Sequence, residues 1–197
     1  MRVASAQQIP HRRLRPFLKY WEAQRGGRPR PERDDIALDV LRGAAANAAF
    51  CRIDDPYVDL DSIRLVNVGS AIERATGNHL TGLTVGQLLR AFGSSAEFTY
   101  CFSEYGQAAT EGCCTYNEGV FPWQEHAWLA YRRLVMPLGA GARPDGLFVM
   151  IDLNAVGLGL VLPETLSHFD GADDAPSQPW AMPPLRIGPG DDRALRA

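Results

Sequence analysis

The sequence predicts an α+β fold: a single five-stranded antiparallel sheet with helices on one face, preceded by a helical arm and followed by an irregular tail. Two observations predict it. Apolar residues recur at helical spacing near the N-terminus and again around residues 95–109, and strand-like runs come as two before the middle helices and three after them. A third, the loss of periodicity after Asn154, sets off the tail. The resulting organisation is an amphipathic helix with a Pro/Gly/Arg turn over 1–35, a sheet domain over 36–154 and a Pro/Gly/Asp-rich tail over 155–197.

The bulk properties agree with one folded body. A chain of 197 residues with 46% hydrophobic and 22% charged residues sits in the ordinary globular range. Net charge of -3 and a pI near 5.8 give no reason to expect nucleic acid as a partner. Residues 1–33 hold nine Lys/Arg against two acids, a local +7 that leaves -10 on the rest, read here as a solvated helix face against an acidic body. No apolar run approaches the roughly 20 residues needed to cross a bilayer, and the N-terminus lacks the apolar core of a secretory signal, so no membrane insertion and a cytoplasmic location are expected.

The first helix is expected over His11 to Arg25, where Leu14, Phe17, Leu18 and Trp21 line one face. Gly26-Gly27 and the following prolines stop it, and Pro16 moves its regular start towards Arg15. A short helix is expected over Ala37 to Arg42, then strands over Ala46 to Ile53 and Ser62 to Val68. Ser70 is positioned to cap a helix over Ala71 to Ala75, ended by Gly77-Asn78, and Thr84 to cap a turn over Val85 to Ala91. A longer helix follows over Ser95 to Ala109, with Phe98, Cys101, Phe102 and Tyr105 facing the core. Three strands complete the body: Gly112 to Glu118, His126 to Met136 and Leu147 to Leu153. Beyond them, residues 156–197 contain six prolines and five glycines.

Three stretches carry a family resemblance. They are LRPFLKYWEAQRGGRPRPER from Leu14, IRLVNVGSAIERATGNHLTG from Ile63 and YRRLVMPLGAGARPDGLFVMIDL from Tyr131. In their order and spacing they resemble a bacterial, mainly alphaproteobacterial, family of stand-alone PAS-like proteins, over about residues 11–154. The resemblance implies a regulatory, non-enzymatic protein that senses a small ligand between sheet and helices, or dimerises, and signals through another protein. With no kinase, cyclase or DNA-binding domain recognisable, the output passes to a partner or to a second copy of the chain. The rival expectations are an interaction and dimerisation adaptor with a filled core and no ligand, and a small enzyme on a similar sheet.

Candidate chemistry is sparse. No GxSxG, P-loop, GxGxxG or HExxH motif occurs, and no catalytic residue is expected. Cofactor identity is open: none of His11, His79, His126 and His168 matches the haem-ligand position of haem-binding PAS domains, and no cysteine carries the flavin-adduct motif. Cys51, Cys101, Cys113 and Cys114 fit neither a disulfide framework nor a zinc pattern, and read as buried thiols. Cys113 and Cys114, adjacent on a strand, are expected on opposite faces.

Phe102, Tyr105, Trp128 and Tyr131 are core aromatics first and a ligand lining second. Arg132-Arg133 alternate across a strand; either one faces the pocket and holds an anionic ligand, Arg132 being the candidate, or both are edge charges. Glu104 and Glu111 read as the solvated face of the long helix. Leu14, Phe17, Leu18 and Trp21 pack either on the chain's own body or on a partner, the second by analogy with the leading helices of dimeric PAS domains.

Overall fold

The structure, a computed structural model, describes residues 1–55, 57–92, 95–124, 127–157 and 160–161. The elements run β1 (Arg2–Val3), α1 (Arg15–Arg25), β2 (Ala48–Ile53), β3 (Ile63–Val68), α2 (Ser70–Thr76), α3 (Val85–Phe92), α4 (Ser95–Glu111), β4 (Cys114–Gln124), β5 (Ala127–Leu138), β6 (Gly146–Gly157) and β7 (Leu160–Val161). One antiparallel sheet results, in the order β1-β4-β5-β6-β2-β3, with β7 paired to β6. The five expected strands form its body. Two two-residue strands at its margins were not legible in sequence, because two residues carry no period. Of the predicted tail, 158–159 and 162–197 lie outside the described residues.

Local chemistry explains the element ends. Pro16 occupies the first turn of α1, where its missing N–H costs nothing, and Gly26 closes the helix at φ 56°. Gly77 ends α2 in the same way at φ 66°. Thr84 caps α3 as expected: its Oγ1 accepts from Gln87 N at 3.1 Å, while Gln87 Oε1 accepts from Thr84 N at 2.8 Å. The N-cap of α2 is Gly69 rather than Ser70, which becomes the first helical residue. A Cβ on Gly69 would stand 2.3 Å from the Ala46 carbonyl oxygen, so only glycine fits there. The helix expected over Ala37 to Arg42 does not form; turns over 38–41 occupy that stretch, between 3₁₀ segments at Arg33–Asp35 and Arg42–Asn47.

The sheet is covered on both faces, a correction to the one-face expectation. On one side Leu14, the N-cap of α1, and Phe17, Leu18 and Trp21 within it pack onto Phe50, Leu134, Met136, Phe148 and Met150. Phe50 and Phe148 stack there with centroids 5.1 Å apart. On the other side α2, α3 and α4 bury Ile72, Val85, Tyr105, Ala108 and Ala109 against Ala49, Leu65, Val135, Leu147 and Val149. Strands buried on both faces read as continuous apolar runs, and Leu134 to Leu138 and Leu147 to Met150 are such runs. The helical arm is thus a layer of the body. Trp21 Nε1 fastens it by donating to the Pro137 carbonyl at 2.8 Å.

Candidate functional site

A buried charged group departs from apolar packing between α4 and β5. On α4, Cys101, Glu104, Tyr105 and Ala108 fall at i, i+3, i+4 and i+7 and all are buried. On β5, Tyr131, Arg133 and Val135 share the face turned towards them by the two-residue period. Helix and strand therefore bring Glu104 and Arg133 together, at 4% and 9% exposure. Arg133 Nε donates to Glu104 Oε2 at 3.0 Å, Nη2 donates to the same oxygen, and Nη2 also reaches Cys101 Sγ at 3.1 Å. The guanidinium carbon stands 4.9 Å from the Tyr105 ring centroid and 5.0 Å from that of Tyr131.

Arg133 is charged. Burial pulls the Arg133 pKa down, but the Coulombic influence of its neighbours, Glu104 among them, raises it further, to well above the ordinary arginine value. Burial pushes the Tyr105 hydroxyl upward, keeping it neutral. Burial likewise lifts the Cys51 thiol to about 12, opposed by the charge on Arg133. Glu104 gives both arginine contacts to one oxygen; Oε1 is buried with no hydrogen-bond partner among the described residues. That atom bears the desolvation cost of an unmet acceptor in the core.

Several expectations are revised here. Glu104 lies in the core rather than on the solvated face, whereas Glu111 is exposed. Arg133, not Arg132, faces the helix. Neither is an edge charge, since β5 lies between β4 and β6. Arg132 projects to the α1 side, half-buried, with Nη1 3.4 Å from Asp152 and Nε 3.8 Å from Glu118. Tyr105 and Tyr131 flank Arg133; the side chains of Phe102 and Trp128 lie outside the described residues. Leu14, Phe17, Leu18 and Trp21 are all buried against their own sheet, at most 4% exposed, and so offer no surface to a partner.

A second polar group sits on the α1 side. Cross-strand register aligns Glu118, Arg132 and Asp152. His11 Nε2 approaches the buried Asp152 at 3.8 Å, and Tyr116 donates its hydroxyl to Glu118 at 2.7 Å. Burial, then that hydrogen bond, push the Tyr116 pKa up. His79 is exposed and pairs with Glu73 at 2.8 Å; His126 and His168 lie outside the described residues. Cys114 is buried and Cys113 half-buried. Among the described residues no cluster of three or more His, Cys, Asp or Glu is arranged to hold a metal ion.

A cavity of about 370 Å³ opens at the C-terminal end of α4, where Ala109 and Thr110 meet Asp54, Asp55 and the Arg143–Asp145 turn. Neither Glu104 nor Arg133 lines it. No helix among the described residues is long and apolar enough to cross a membrane. In comparisons with protein-family models, curated proteins and solved structures, nothing matches this chain.

Proposed function

We propose that this chain is a non-enzymatic regulatory protein of the PAS-like type, which senses a small ligand between α4 and the sheet and passes the result on through protein–protein contact. The observation that carries the reading is the buried Arg133–Glu104 pair with its unmet oxygen. Apolar residues of similar volume would hold helix to sheet as well or better, because a buried ion pair gives back much of its attraction as desolvation cost. A charged pair retained at that interface fits recognition better than stability. The topology supports the same reading: the first two strands of the body sit beside its last, and the short middle helices cover one face, as the β-β, helices, β-β-β succession requires.

The partner is another signalling protein or a second copy of the chain. Its contact lies away from the α1 stripe, which the sheet consumes. The adaptor reading, with no ligand, is favoured by one observation: the cavity at the end of α4 does not reach the ion pair. Native mass spectrometry of freshly purified protein, set against its denatured mass, separates the two. A retained small molecule lost from an Arg133→Met, Glu104→Met double variant is the expected result. An empty protein, monomer or dimer, whose native mass per chain equals the denatured mass selects the adaptor.

A further inference from the structure

Resting on that ligand-sensing reading, we infer that the ligand is a small neutral molecule that presents an N–H or O–H donor to Glu104 Oε1. Two features of the site assign this chemistry. The first is charge. Arg133 and Glu104 neutralise each other, and the flanking Tyr105 and Tyr131 rings contribute faces rather than charge, so the cluster is balanced before anything binds. An anion or cation entering it brings a charge with no counterpart in a desolvated setting, which is disfavoured.

The second is the direction of the unmet hydrogen bond. An ionised carboxylate only accepts. Both donations from Arg133 fall on Oε2, and Oε1, on a residue that is 4% exposed, is buried with no partner among the described residues. The unmet valence therefore calls for a donor. A ligand offering only acceptors leaves Oε1 as it was, and a ligand carboxylate must compete with Glu104 for Arg133. Preference by donor against an isostere without one is the sharpest discrimination a buried polar group gives.

The test uses three ring compounds on the full chain: pyrrole, a neutral N–H donor; furan, its near-isostere without the donor; and pyrrole-2-carboxylate, the same ring with an anion. Binding is followed by amide chemical shifts on α4 and β5, with thermal shift alongside. Pyrrole is expected to bind at least ten-fold more tightly than furan or pyrrole-2-carboxylate. In Glu104→Gln, which keeps the shape but places an amide where a carboxylate stood, the preference over furan is expected to shrink to two-fold or less. The Arg133→Met, Glu104→Met double variant, which removes the polar pair altogether, provides the same readout should the single variant not fold. Equal affinity for pyrrole and furan overturns the assignment. So does tighter binding of pyrrole-2-carboxylate, which leaves a ligand site standing but makes it an anion site. Absence of binding by all three, in protein that native mass spectrometry shows to be empty, means that water alone satisfies Oε1 and overturns both readings.

Discussion

The indole nitrogen of Trp21 donates to the Pro137 carbonyl across 116 positions of sequence, at 2.8 Å and out of contact with solvent. Pro137 has no N–H to give to the ladder, and the tryptophan of α1 donates to its buried carbonyl. Trp21→Phe keeps most of the apolar contact but strands that carbonyl. Loss of about 1–3 kcal/mol is expected in urea denaturation, from an unmet buried acceptor plus a small cavity. Unchanged stability would mean that α1 is held by its leucines and Phe17 alone.

Gly69 and Gly43 form a matched pair for backbone sterics. A methyl group on Gly69 runs into the Ala46 carbonyl at 2.3 Å, whereas one on Gly43 meets nothing within 4 Å. Gly69→Ala is expected to cost about 2–3 kcal/mol, since the β3–α2 corner must shift. Gly43→Ala should stay within about 0.5 kcal/mol of the parent. Melting temperatures of the two variants check the contrast directly.

Breaking the Arg133–Glu104 pair one residue at a time is predicted to be worse than removing it whole. Either single methionine substitution leaves a buried charge without its partner, at about 3–5 kcal/mol. The double substitution is expected to be near neutral, or stabilising by about 1 kcal/mol or more. A double-mutant cycle by chemical denaturation measures the difference. Additive losses would show that the pair supports the fold by packing and not by charge.

Asp54 gives the acid side of the stability profile. Its carboxylate accepts from Arg52 Nε at 2.6 Å and Arg64 Nε at 2.8 Å, and these bonds, Arg52 first, hold its pKa below the ordinary 3.8. A folded-state pKa below the unfolded value adds stability above the unfolded pKa, and that stability is lost as pH falls through the folded one. Asp54→Asn should therefore flatten the loss of stability below about pH 4. At about pH 7 the cost should be under about 1 kcal/mol, because water screens this partly exposed pair. Parallel pH profiles for parent and variant would contradict the assignment.

The candidate site was half legible. Tyr105 and Tyr131 were read as lining residues, and the helical and strand periods that buried them also bury their neighbours Glu104 and Arg133. Glu104 nonetheless reads as solvated, and of the two arginines Arg132 is the pocket candidate, with both as edge charges the alternative. Period places a residue on a face. It does not say which face of a strand meets which layer until the layers are known, and Arg132 and Arg133 exchanged roles on that point alone.

By itself the sequence determined the elements: the stripe of α1, the caps at Thr84, Gly26 and Gly77, the long helix α4 and the strands β2 to β6. These depend on interactions within a few residues, and such interactions are written in adjacent letters. Only the tertiary structure decided that α1 is a layer rather than an arm, that Gly69 is required by the distant Ala46 carbonyl, and that Glu104 is paired across the helix–sheet interface. The reason is physical. Burial and ion pairing are properties of two surfaces meeting, and the same stripe or charge is compatible with solvent, a partner or its own core until the chain closes on itself.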